Sequence, residues 1–110
     1  MTNWIDVGCV DDVPRRGSRV IAAPAGDIAL FKAADGRIFA LWDKCPHMGG
    51  PLSQGIVHGH FVTCPLHNWV IGLETGGAKG PDQGCARKVA LKVEGARILI
   101  EAASLARQAA

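Results

Sequence analysis

The sequence predicts an all-β fold, and three observations carry that reading. Gly (14 residues) and Pro (6 residues) are spread between short runs rich in Val, Ile, Leu, Phe and Trp, the pattern of many short strands joined by frequent turns. Some of these runs pair across turn-forming dipeptides. Ile28 to Lys32 faces Arg37 to Trp42 around Asp35-Gly36, and Lys88 to Val93 faces Ala96 to Ile100 around Glu94-Gly95, each a hairpin signature. Lys88-Val89-Ala90-Leu91-Lys92-Val93 also alternates as a half-buried strand should.

At 110 residues the chain fits one domain, a size at which about two-thirds of the unfolded surface is buried on folding. Residues 4–42 and 84–101 are expected to form the base sheets. Between them, residues 43–83 read as a small inserted subdomain in which loops dense in Gly and Pro enclose two short strands, Phe61 to Thr63 and Trp69 to Leu73. Residues 102–110 form a tail of helical composition too short to be a stable helix alone.

Charge and hydropathy narrow the classes of partner. The formal net charge is +2, and Lys and Arg are scattered singly apart from Arg15-Arg16, so no basic stripe would neutralise a run of phosphates. Nucleic acid is therefore not an expected partner. No stretch reaches the ~18 consecutive apolar residues that span a bilayer, and Met1 to Asp6 lacks a basic segment followed by an apolar run. No membrane association is expected, and the expected location is the cytoplasm.

The chemistry is concentrated in two short segments, Cys45-Pro46-His47-Met48-Gly49-Gly50-Pro51-Leu52 and Val62-Thr63-Cys64-Pro65-Leu66-His67-Asn68-Trp69. They form a C-x-H motif, sixteen intervening residues and a C-x-x-H motif. Cys45, His47, Cys64 and His67 thus offer two thiolates and two imidazoles, the ligand set of a Rieske 2Fe-2S centre, in which the cysteines hold one iron and the histidines the other. A tetrahedral Cys2His2 zinc site uses the same donors, although such modules usually begin with C-x2-4-C. A Cys45–Cys64 disulfide is a further alternative, less natural in a chain without a secretory signal. Gly49 and Gly50 would let backbone N–H groups approach bridging sulfides, and Pro46, Pro51 and Pro65 would stiffen the loops.

Cys9 and Cys85 have no neighbouring His and read as buried small hydrophobes. His58 and His60 read as surface histidines, since a complete ligand set exists without them.

These motifs resemble the Rieske iron-sulfur family. The longer runs Gly50-Pro51-Leu52-Ser53-Gln54-Gly55-Ile56-Val57, Cys64 to Ile71 and Gly80-Pro81-Asp82-Gln83-Gly84-Cys85-Ala86-Arg87 are similar to the small subunit of assimilatory NAD(P)H-dependent nitrite reductase. The resemblance runs from near Trp4 to about Ile100. It implies a Rieske-type β-sandwich in which residues 43–83 bind the cluster, with Gly80-Pro81 in a loop that covers it. It further implies a large partner subunit carrying FAD, siroheme and a 4Fe-4S centre, where nitrite is reduced to ammonium. This chain would then be an electron-transfer subunit with no catalytic residues of its own. Gly72, where the family pattern has an acidic residue, and His60 depart from that resemblance.

Within the Rieske family, high-potential members carry an extra cysteine in each cluster loop and a Ser and a Tyr that donate hydrogen bonds to the cluster. Here Met48 to Pro51 and Pro65-Leu66 contain no cysteine, and the positions two and four after His67 are Trp69 and Ile71. The expected potential therefore lies toward the low end of the Rieske range, which spans about -150 to +300 mV. Met48, Gly49, Gly50, Pro65 and Leu66 would form a small apolar rim for docking. The alternative to a reductase subunit is a free Rieske ferredoxin that delivers electrons to a ring-hydroxylating dioxygenase, and a second is a structural subunit whose cluster is dispensable.

Overall fold

In the computed structural model, which describes residues 3–23, 26–43, 51–64, 69–77 and 88–101, nine strands form three antiparallel sheets. The strands are β1 (Trp4–Cys9), β2 (Gly17–Ala23), β3 (Gly26–Lys32), β4 (Ile38–Trp42), β5 (Ile56–His58), β6 (Phe61–Thr63), β7 (Val70–Gly72), β8 (Leu91–Glu94) and β9 (Arg97–Glu101). Their orders are β1-β9-β8, β2-β3-β4 and β5-β6-β7. Single 3-10 turns occur at Val10–Asp12 and Leu52–Gln54. The fold is all-β, as the turn-punctuated composition predicts. No helix among the described residues is long and apolar enough to cross a membrane.

Side-chain alternation places the β2-β3-β4 sheet in the middle. Successive strand residues face opposite sides, so Ala29 and Phe31 of β3 with Phe39 and Leu41 of β4 enter one core, while Ile28, Leu30, Ala40 and Trp42 enter another. The first core is completed by Leu52, Val57, Val62, Cys64, Ile71 and Leu73, the second by Val13, Val89, Ile98 and Ile100. With both faces covered, β3 and β4 read as near-continuous apolar runs rather than alternating ones. The β5-β6-β7 sheet needs only one buried residue per strand. Val57 pairs with Val62 and Val62 with Ile71, giving a single apolar row laid on the middle sheet.

The β3–β4 hairpin closes where Asp35-Gly36 predicts, with Ala33 N–H donating to Arg37 O (3.0 Å) and Gly36 at φ +93°. The C-terminal hairpin begins later than expected: β8 starts at Leu91, not Lys88. Lys88 bridges Leu41 instead, and Val89 N–H donates to Ala40 O at 3.0 Å. The segment hooks onto the open edge of β4 before crossing to pair with β9, because an exposed strand edge leaves N–H and C=O groups that need partners. Strand β7 is likewise shorter than expected, with Trp69 and Leu73 outside it.

Cys9 does not follow its reading as a buried residue. It is half-buried at the end of β1, and its N–H donates to Asp12 Oδ2 at 2.9 Å. Cys85, the 102–110 tail and Gly80-Pro81 lie outside the described residues.

Candidate functional site

Of the sequence-predicted ligands, Cys64 is described; Cys45, His47 and His67 lie outside the described residues, as do Met48, Gly49, Gly50, Pro65 and Leu66. Cys64 follows β6 directly and is fully buried in the core it shares with Leu52, Val62 and Ile71. Its N–H donates to Trp69 O at 2.7 Å, continuing the β6–β7 pairing that ends at Thr63 and Val70. That bond joins the two residues that flank the segment 65–68, which contains the rest of the C-x-x-H motif. Trp69, half-buried, packs against the same core.

A second closure roots the C-x-H motif. Asp43, just past β4, accepts two hydrogen bonds from Ser53, one from its N–H and one from its hydroxyl, both 2.7 Å. Asp43 N–H in turn donates to Asp27 O at 2.9 Å, and Ser53 O accepts from the Ser18 hydroxyl at 2.7 Å. The Asp43 carboxylate therefore staples together the residues on either side of 44–52, and the Asp43 N–H and the Ser18 hydroxyl tie that staple to the middle sheet. Hydrogen bonds to a charged acceptor are the stronger kind.

Packing brings the described end of the first motif to Cys64. Leu52, at the end of the first, is fully buried in the core that holds Cys64. Gly55 follows, and a Cβ there would stand 2.3 Å from Thr63 O and 2.9 Å from Val62 Cγ2. A side chain cannot be inserted at that distance, so glycine is what lets the return from the first motif lie against the strand that delivers Cys64. Asp43, Ser53 and Gly55 carry no structural role in the sequence reading, although the last two fall in the run Gly50 to Val57. Asp and Ser flanking a Gly-rich loop are a usable local signal, whereas the crowding at Gly55 exists only after β5 pairs with β6.

His58 fits its reading as a surface residue: it is exposed, with Nε2 2.7 Å from Thr63 Oγ1 and its ring stacked near Phe61. His60 does not. It is half-buried, its Nε2 2.8 Å from Asp35 Oδ2 and its Nδ1 3.3 Å from Glu74 Oε1, with its ring against Phe39. Arg37 donates to the same Glu74 oxygen at 3.0 Å. The Arg37 backbone N–H, then the His60 ring, hold the Asp35 carboxyl below its ordinary value of 3.8. This cluster ties the β3–β4 turn to the β5-β6-β7 sheet. Its members are far apart in sequence, which is why the sequence gives no sign of it.

Cys64 lies buried in the core that also seats Leu52 at the end of the C-x-H run, and the family model Rieske [2Fe-2S] domain matches residues 3–94. The chain belongs to the Rieske [2Fe-2S] family. It is 30% identical over 100 residues to the ferredoxin component of the naphthalene 1,2-dioxygenase/salicylate 5-hydroxylase systems of Ralstonia sp., covering 90% of this chain and 95% of that one. Among solved structures, the Sphingomonas yanoikuyae B1 ferredoxin superposes with a TM-score of 0.80 at 23% identity, over 90% of this chain and 98% of its own. A protein provisionally assigned as an NADPH nitrite reductase small subunit superposes with a TM-score of 0.77 at 19% identity, over 89% and 97%. The fold is thus of Rieske type, and the chain is a Rieske electron-transfer domain, the kind that carries a 2Fe-2S cluster.

Proposed function

We propose that this chain is a Rieske ferredoxin, holding a 2Fe-2S cluster through Cys45, His47, Cys64 and His67 and delivering single electrons to a ring-hydroxylating oxygenase. The observation that carries the reading is the match, end to end, with an oxygenase-system ferredoxin component: 95% of that relative's length is covered. A carrier of this kind needs no substrate pocket or acid–base pair beside the metal.

The described residues fit the group. Cys64, held at a fixed position by the bond from its N–H to Trp69 O, suits a cluster ligand, since a metal centre needs its donors oriented in advance. Bound, the cluster supplies one-electron chemistry. The chain's own part is to hold the donors still: the Asp43–Ser53 staple fixes the base of the segment carrying Cys45 and His47, and the Cys64–Trp69 bond fixes the base of the segment carrying His67.

A second reading, the small subunit of NAD(P)H nitrite reductase, is supported by the sequence runs around Cys64 and Gly80-Pro81 and by the likeness in fold to the nitrite reductase small subunit candidate. In that case FAD, siroheme and a 4Fe-4S centre belong to a large partner. Affinity purification from the native host separates the two. A ferredoxin elutes without a large flavin- and siroheme-bearing chain; recovery of a stable complex with such a chain overturns the ferredoxin reading in favour of the reductase.

A further inference from the structure

At the far end of β4 from Asp43, a cleft of about 620 Å³ opens between β8 and the β3–β4 turn. That volume lies within the range of small-molecule sites, about 300–1,000 Å³. Its apolar lining comes from Val10, Ile38, Leu91 and Val93. Val93 is 44% exposed, an apolar side chain left facing solvent inside a recess.

The rim is cationic. Arg15, Lys32, Arg37 and Lys92 all line the cleft, against the single acid Asp11. Two of the four have their own counter-ions, Arg37 with Glu74 at 3.0 Å and Lys92 with Glu94 at 3.2 Å. The other two make no ion pair among the described residues: Arg15 donates to the carbonyl of Ala34, and Lys32 is half-buried. Two cations lining one cleft without carboxylate partners among the described residues attract an anion, and the attraction is stronger next to apolar walls than in open water.

We propose that this cleft is a binding site for a small amphipathic carboxylate, its charge held by Lys32 and Arg15 and its hydrocarbon part lying on Ile38, Leu91 and Val93. An inorganic anion makes no use of the apolar lining, and a neutral hydrocarbon makes none of the two cations, Lys32 and Arg15. The site stands apart from Cys64 and does not depend on the electron-transfer reading.

Titration of the isotope-labelled holoprotein with 2-naphthoate, followed by amide shifts, tests the proposal, with 2-naphthylmethanol and inorganic phosphate as the neutral and the non-apolar controls. Saturable shifts are expected at Ile38, Leu91 and Val93, with both controls binding at least tenfold more weakly. Lys32→Gln should weaken naphthoate binding at least fivefold. Val93→Glu, a change at an exposed position that leaves the cations intact, should do the same by repulsion. The proposal is overturned if the shifts do not saturate, if either control binds as tightly as naphthoate, or if both variants bind like the parent protein.

Discussion

Cys64 is the residue on which the chemistry and the packing meet, because the thiol sits in the core that also seats Leu52. Cys64→Ser should abolish bound iron and acid-labile sulfide, read by metal analysis of the purified protein, whereas Cys9→Ser should leave both unchanged. Asp43→Ala removes the acceptor of two 2.7 Å bonds and is expected to cost about 1–3 kcal/mol in denaturant unfolding, with faster loss of iron to a chelator. Gly55→Ala should be worse than Gly36→Ala. At Gly55 the new Cβ meets backbone at 2.3 Å and must displace β6, while at Gly36 nothing lies within 4 Å and the cost is the positive φ alone, about 1 kcal/mol. Thermal unfolding of the two variants makes the comparison. The ligand spacing was legible because it is local in sequence. The role of Gly55 was not, since it is crowded only by a strand that β5 joins through pairing.

At the scale of elements, apolar runs about good turn dipeptides located β3, β4 and β9 within a residue or two. Others were harder to see. Strand β2, with the sequence Gly17–Ala23, has little alternation and is identified by its full register against β3. The three-residue β5 contributes one buried side chain, Val57, too short a pattern for period-two reading. The misplaced start of β8 has the same origin: Lys88 to Val93 alternates throughout, and alternation cannot report that Lys88 and Val89 pair with β4 while Leu91 pairs with β9. The middle sheet, buried on both faces, should be the most sensitive element. Leu30→Ala, at a fully buried β3 position, is expected to cost about 2–5 kcal/mol, a large part of the stability of a domain of this size. Val20→Ala on β2, 44% exposed, should change the denaturant midpoint little.

At the scale of the whole molecule, the edge of the β1-β9-β8 sheet is tied by the Arg97 guanidinium, which donates to both Asp6 oxygens at 2.8 and 2.9 Å. The hydrogen bond from Arg97 holds the Asp6 carboxyl below its ordinary value of 3.8. A carboxylate depressed in the folded state adds stability above its unfolded value and loses it as pH falls through the folded one. The difference in melting temperature between the parent protein and Asp6→Asn should therefore be constant from neutral pH down to about 5 and shrink below about 4. The larger question is what the three layers exist to carry. In the proposed function, Cys45, His47, Cys64 and His67 hold a 2Fe-2S cluster. The most direct test is nitrogen hyperfine coupling in the pulsed paramagnetic resonance spectrum of the dithionite-reduced protein. Couplings from two imidazole nitrogens are expected, each lost separately in His47→Cys and His67→Cys; a reduced protein without a paramagnetic cluster, or a cluster without nitrogen coupling, rules that ligand set out.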